Sequence, residues 1–382
     1  MDFDLSDEQR MLQDSVQRLL AERCSFEQRQ ALLDDPAGAG KALWHQCAEL
    51  GLLGLPFAEE DGGFGGGAVD TFIVMQALGR ALAPLPYLAT VVLCGGLLRA
   101  VASPAQRAAL VPAIAAGDLT LAFAHSEAQA RYDLADVRTT ARRQGQGWVL
   151  DGEKRFVLQG ESADRLIVSA RVALAGTGQD AIALFLVDAT APGLTRRGYA
   201  TQDRARSADV QLRSVQVGDD ALIGEPGNAL PAIEQAVDGA IAALCAEAVG
   251  TMAYAHELTV DYLKVRKQFG VPIASFQALQ HRAVDMLVAA EQAHSMALYA
   301  TMMCTEPDCM ERRRAISAAK VQVNTSARFV GQEAVQLHGG IGMTEECQVG
   351  HYLRRLAMIE MMFGDTPHHV RRLVRAGGLI AA

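Results

Sequence analysis

From residue 230 the apolar side chains Leu230, Ile233, Val237, Ile241, Leu244, Ala248 and Met252 return at steps of three and four. That spacing lines them along one face of an α-helix. The pattern can run on through Leu258 to Val265, a helix of roughly 50 Å at 1.5 Å per residue, with Asn228 as its N-cap. Phe276, Leu279, Ala283, Met286 and Ala290 predict a second helix that stops before Pro307. Ile316, Ala319, Val323, Ala327, Val330, Ala334 and Leu337 predict a third, which meets Gly339-Gly340, where the missing Cβ permits a left-handed stop. Helices this long bury their apolar stripes against one another, and with a fourth from the final segment they predict a four-helix bundle.

The rest of the chain has other rhythms. At the start, Ser6 with Gln9 forms a capping box ahead of Leu12, Val16 and Leu19. A second helix carries Leu43, Cys47 and Leu50 and stops at Gly51, before a glycine-rich loop from Pro56 to Gly67. From Leu119 short apolar runs replace the helical spacing: Leu119 to Ala124, Trp148 to Leu150, Arg165 to Ala170, Ala181 to Val187, Val210 to Leu212 and Val215 to Val217. Asp151-Gly152 reads as a tight hairpin turn between strands. Strands at this rhythm predict a small barrel or sandwich, and with no G-x-G-x-x-G a Rossmann domain is not expected. The expected class is α+β: an N-terminal helical domain over 1–118, a middle β domain over 119–220 and a C-terminal helical bundle over 221–382.

A formal charge of -9 argues against a nucleic-acid partner, because binding a phosphate backbone depends on Lys and Arg neutralising it. A phosphate-bearing ligand must then meet a local basic patch. Lys264, Arg266 and Lys267 offer one, and Arg312, Arg313 and Arg314 another, unless they are solvated helix faces. No uncharged run of about 18 apolar residues predicts a membrane span, and the acidic start lacks the pattern of a signal peptide. The 7 scattered cysteines contain no C-x-x-C pair and read as reduced thiols of a cytoplasmic protein, with no metal site.

Two short segments carry the chemistry. Arg266 and Gln268, beside Phe269-Gly270, can pair a diphosphate oxygen and pack a ring on a cofactor. Gln336 can offer its amide, while Gly339 and Gly340 let the backbone approach a ligand. Each segment alone is equally an ordinary helix end. Together they resemble the FAD-binding segments of the acyl-CoA dehydrogenase family, as do the α-β-α order, the glycine loop and Gly152-Glu153-Lys154. The resemblance implies an FAD enzyme acting on an acyl-CoA thioester. A base removes the α proton, a hydride leaves the β carbon for the flavin, and the product is a trans-2-enoyl-CoA; an electron-transferring flavoprotein is the implied acceptor. It also carries Ser126 and Phe156 over as flavin neighbours.

Three departures qualify that expectation. His125-Ser126-Glu127 only partly matches the family's Thr-Glu-Pro segment, and Leu158 stands where a flavin-facing hydroxyl is usual. Gly364, in Phe363-Gly364-Asp365-Thr366, stands where many members carry the catalytic Glu. Asp365 lies beside it. Other members place the base on the long helix, where this chain has Ala240. Glu247 lies further along that helix, in an apolar setting that would desolvate a carboxylate as a base requires; the alternative is a Glu paired with a neighbouring cation. Such losses resemble the small subunits of heteromeric acyl-CoA dehydrogenases acting on medium-chain dicarboxylyl-CoA esters, as do residues 1–5, 55–67 and 131–137. The implied assembly is a tetramer, with a large acyl-CoA dehydrogenase subunit or by self-association. The alternatives are a non-catalytic subunit that completes a partner's FAD site, and a flavin oxidase or monooxygenase on the same fold.

Overall fold

The computed structural model describes residues 5–35, 39–173, 180–227 and 229–377. Helices α1 (Asp7–Arg23), α2 (Phe26–Asp34), α3 (Ala39–Glu49), α4 (Ala68–Ala81), α5 (Gly95–Val101) and α6 (Pro104–Ala115) come first, with a π-helical turn over Leu88–Cys94. Strands β1 (Leu121–Ala124), β2 (Thr140–Gln144), β3 (Gly147–Leu158), β4 (Arg165–Ala173), β5 (Asp180–Asp188), β6 (Leu194–Ala200), β7 (Arg206–Gly218) and β8 (Leu222–Ile223) follow. Then come α7 (Ala229–Val265), the strand pair β9 (Lys267–Gln268) and β10 (Val271–Pro272), α8 (Gln277–Met303), α9 (Cys309–His338), α10 (Gln348–Met361) and α11 (Thr366–Arg375). This is the helical, β, helical order that the residue patterns predict. Asn228, the expected cap of α7, and residues 1–4 lie outside the described residues.

By contact the chain divides into two compact units: residues 1–36, 68–84 and 241–382, and residues 37–67 and 85–240. In the first, α1 opens on the Ser6–Gln9 capping box, and Val16 and Leu20 face inward. Helices α4 and α7 meet backbone to backbone. A Cβ on Gly79 would lie 2.0 Å from the Glu247 carbonyl oxygen, and one on Gly250 would lie 1.9 Å from that of Gln76. Glycine at both points permits the approach. Every apolar residue expected along α9, from Ile316 to Leu337, is buried. Helix α7 is long and apolar enough to cross a membrane, but 89% of its most apolar window is buried within the protein, as befits a core helix.

The second unit holds α3, α5, α6 and the sheet, with strand order β6-β7-β3-β2-β4-β5-β8 and β1 alongside β4. Phe185, Leu150, Val168 and Leu212 are among its core side chains. Thr90, in the π-helical turn, ties that turn to the sheet: its hydroxyl donates to the Leu121 carbonyl at 3.0 Å and accepts from the Leu121 N–H at 3.1 Å. The Asp151-Gly152 hairpin does not occur. Both residues lie inside β3, which pairs with β7 from Gly147↔Gly218 to Leu158↔Ser207, with an irregularity between Leu150 and Gly152. The reversal into β3 is instead at Gly145, where φ is +61°. A glycine with positive φ serves a bulge as well as a turn, and β7 supplies the partner that keeps the strand going. Leu50, expected in the same helix as Leu43 and Cys47, lies just past the end of α3 and is exposed.

Candidate functional site

The end of α7 turns sharply. The Arg266 N–H reaches back to the Tyr262 carbonyl at 2.9 Å, and β9 and β10 then pair as Gln268↔Val271 and Lys267↔Pro272. Phe269 and Gly270 make the two-residue turn, both left-handed at φ +54° and +81°, the conformation that such hairpins demand. Glycine takes it freely; phenylalanine is strained there. The Phe269 ring is 90% exposed and meets Phe276 edge-on, with centroids 6.1 Å apart. Arg266 and Gln268 are exposed too.

Helix α9 ends alongside. Gln336 is exposed, Gly339 has φ +67°, and a Cβ built on Gly339 or Gly340 would meet nothing within 4 Å. His338 stacks on Tyr262, with centroids 4.5 Å and planes 21° apart. Its Nδ1 lies 2.8 Å from the Ala334 carbonyl, and burial lowers its pKa, which favours the neutral ring. Tyr262 lies one helical turn before Arg266, and His338 two residues after Gln336. The stack therefore joins the two segments that the sequence singled out. Beside it lies a cleft of about 510 Å³ whose lining includes Leu258, Tyr262, His338, Ile341, Glu346 and Cys347. A guanidinium, two amides, open glycine backbone and aromatic surface fit a ligand carrying a diphosphate and an adenosine. These are the residues of this unit that would hold FAD.

Ser126 and Phe156 belong to the other unit. Beyond the end of β1, exposed Ser126 accepts the Arg155 N–H on its carbonyl at 2.8 Å, one residue before Phe156. Phe156, at φ +53°, sits in the second irregularity of the β3–β7 ladder, and Leu158 pairs with Ser207 in register. Beneath lies a network with no local sequence signal. Lys154, fully buried, places Nζ 2.8 Å from Glu127 Oε1, 3.0 Å from Ser169 Oγ and 3.1 Å from the His125 carbonyl. Glu127 also accepts from the Thr139 N–H and hydroxyl, the Arg138 N–H and the Gln129 amide. Burial pushes the Glu127 carboxyl up, but the Lys154 charge and these donors outweigh it and bring its pKa to about 2. Burial also drives the Lys154 pKa down, against the pull of Glu127. Glu127, a partial match to a flavin-side motif, thus serves as an internal clamp on the 125–139 segment.

The two carboxylates considered as bases are both engaged. Glu247 is buried, and its Oε1 lies 2.6 Å from Arg355 Nε. Asp365 caps α11, accepting the His368 N–H at 2.8 Å. Ala240 is fully buried. Arg312 is buried and donates to the Glu306 carbonyl at 2.7 Å, which is neither a solvated face nor an open ligand site. Phe156, Phe269 and Phe363, one in each motif-like segment, all have positive φ. Strain of this kind persists where the surroundings enforce it and often marks functional sites.

Comparison with known proteins covers nearly the whole chain. Residues 6–118 match the family model for the acyl-CoA dehydrogenase N-terminal domain, 122–215 the middle domain and 230–377 the C-terminal domain. The probable acyl-CoA dehydrogenase YngJ of Bacillus subtilis is 29% identical over 100% of both chains. The acyl-CoA dehydrogenase FadE12 of Mycobacterium tuberculosis is 31% identical over 83% of each. Among solved structures, the steroid ACAD Tcur3481–Tcur3483 superposes with a TM-score of 0.84 at 27% identity, over 97% of each chain.

Proposed function

This chain belongs to the acyl-CoA dehydrogenase family, and on that premise we propose that it is the small subunit of a heteromeric, tetrameric enzyme that dehydrogenates medium-chain or dicarboxylyl, pimeloyl-CoA-like thioesters. The family's reaction is the FAD-dependent α,β-dehydrogenation of an acyl-CoA. Bound FAD supplies the two-electron acceptor.

In our reading, this chain's residues hold and orient. Arg266 pairs the diphosphate. Gln268 and Gln336 offer amides to the adenosine half, and Phe269 packs on it. Gly339 and Gly340 admit the backbone close to the ligand; in the other unit, Ser126 and Phe156 are carried by the resemblance as neighbours of a flavin ring. The observation that supports this reading is the Tyr262–His338 stack, which brings the ends of α7 and α9, each carrying one of the two segments, next to one another. The dicarboxylyl substrate rests on the resemblance of residues 55–67 and 131–137. An electron-transferring flavoprotein fits as acceptor, and seven unbridged cysteines suit a cytoplasmic location.

Glu247 and Asp365 are this chain's candidates for the base, but one is held by Arg355 and the other caps a helix. We therefore assign proton abstraction to the partner chain. The same two contacts favour a second reading, in which this chain only completes a catalytic partner's FAD site.

The test is the flavin-to-chain ratio from the visible spectrum, for the chain expressed alone and then with a candidate large subunit. The expected result is no flavin alone and about one per pair of unlike chains. About one flavin per chain when alone would overturn the heteromer and return the base to this chain.

A further inference from the structure

One buried imidazole has no part in the proposed chemistry. His369, on α11, is fully buried; its Nδ1 lies 3.2 Å from Ser317 Oγ on α9. Its Nε2 makes no hydrogen bond among the described residues. That nitrogen faces Gly364: a Cβ built there would lie 2.5 Å from His369 Nε2 and 2.7 Å from His368 Cδ2. Gly364 also has φ +124°, directly after Phe363 at +56°.

A clash with the tip of a flexible side chain is relieved by rotation. A ring in a packed interior cannot yield that way. The turn around it is held from several sides as well. Lys320, fully buried, donates to the Ile359 carbonyl near the end of α10. Glu360 engages Arg328 of α9 and lies 3.4 Å from the Thr366 hydroxyl. Asp365 is committed to capping α11. Burial, and then Lys320, hold the imidazole neutral, so the ring can fill this space without burying a charge.

We propose that His369 is a positioning residue whose ring fills the space over Gly364, so that residue 364 carries no acid–base side chain beside the capping Asp365 and that role falls to another chain. The proposal rests on the reading of the chain as an acyl-CoA dehydrogenase subunit. It also implies that a carboxylate at residue 364 is admitted only when His369 is cut back.

The experiment has two arms. Melting of wild type, Gly364→Ala, His369→Ala and the double variant is followed by circular dichroism. In the flavin-loaded assembly, Gly364→Glu with and without His369→Ala is incubated with an acyl-CoA in D2O, and deuterium at the α carbon is read by mass spectrometry. Gly364→Ala is expected to lower Tm, with a smaller drop in the His369→Ala background, because the overlap with the His369 ring is gone while the His368 contact and the positive φ remain. The partner's base gives every assembly a background of exchange, and uptake above the level of the assembly carrying His369→Ala alone is expected only with both changes. Equal drops in the two backgrounds would overturn the proposal, and so would uptake above the wild-type level with Gly364→Glu alone. Coupled melting with no uptake above background in either Glu variant would uphold the filled space while overturning the acyl-CoA reading of this turn.

Discussion

Lys154 and Arg266 sit in segments singled out by the same family resemblance, yet their surroundings are built in opposite ways. Around Lys154 the polar atoms are buried and answer one another: Glu127, Ser169 and the His125 carbonyl surround the ammonium, and Thr139, Arg138 and Gln129 complete the carboxylate. Around Arg266 they are exposed, and Arg266 and Gln336 have no side-chain partner among the described residues. A saturated network stiffens a loop but has nothing left to offer a ligand. An open set contributes little to the fold and keeps its donors for one. The carboxylates that the sequence offered for chemistry are committed inside the chain: Glu127, Glu247 and Asp365 are each engaged by other residues.

The largest effect should come from opening the closed region. Lys154→Met leaves the Glu127 carboxylate buried without its cation and should destabilise the chain by about 3–5 kcal/mol, read from urea unfolding. Lys154→Met combined with Glu127→Gln should cost less than Lys154→Met alone, because no charge is left unpaired. A cost for the double as large as for the single would show that the pair is not a unit. The same pair sets a pH signature. Glu127 has its pKa lowered on folding, from 4.5 to about 2, so its stabilising contribution is present above about pH 4.5 and is lost as pH falls towards 2. The double variant should lack that part of the acid sensitivity.

The smallest effect on stability should come from the open region. Phe269→Gly relieves a left-handed residue, roughly 1–2 kcal/mol, against about 0.5–1 kcal/mol of added chain entropy. Its Tm should therefore stay level or rise slightly while flavin occupancy falls. A clear loss of Tm would mean that the exposed ring supports the fold.

Legibility in the sequence follows the same division. The helices of 230–337 could be read because each carries its apolar face in its own spacing, and the Ser6–Gln9 cap because both partners are three residues apart. Strand β6, Leu-Thr-Arg-Arg-Gly-Tyr-Ala, could not, because it has few apolar residues and is held by its pairing with β7. Asp151-Gly152 misled because a turn and a bulge ask for the same local residues. The Arg266 and Gln336 segments were visible as motifs, but the Tyr262–His338 stack that joins them needs two helices to end side by side. The partners of Glu247 and Lys154 lie 108 and 27 residues away, and no local pattern announces them.

The central claim is that the open segments serve a cofactor and not the fold. The most direct measurement is the thermal midpoint of the assembly, flavin-stripped and with saturating FAD, for wild type and Arg266→Ala. Without FAD the two should melt alike, within about 0.5 kcal/mol as for an exposed side chain. With FAD the wild type should be raised by linkage and Arg266→Ala much less. An equal rise in both would contradict the account.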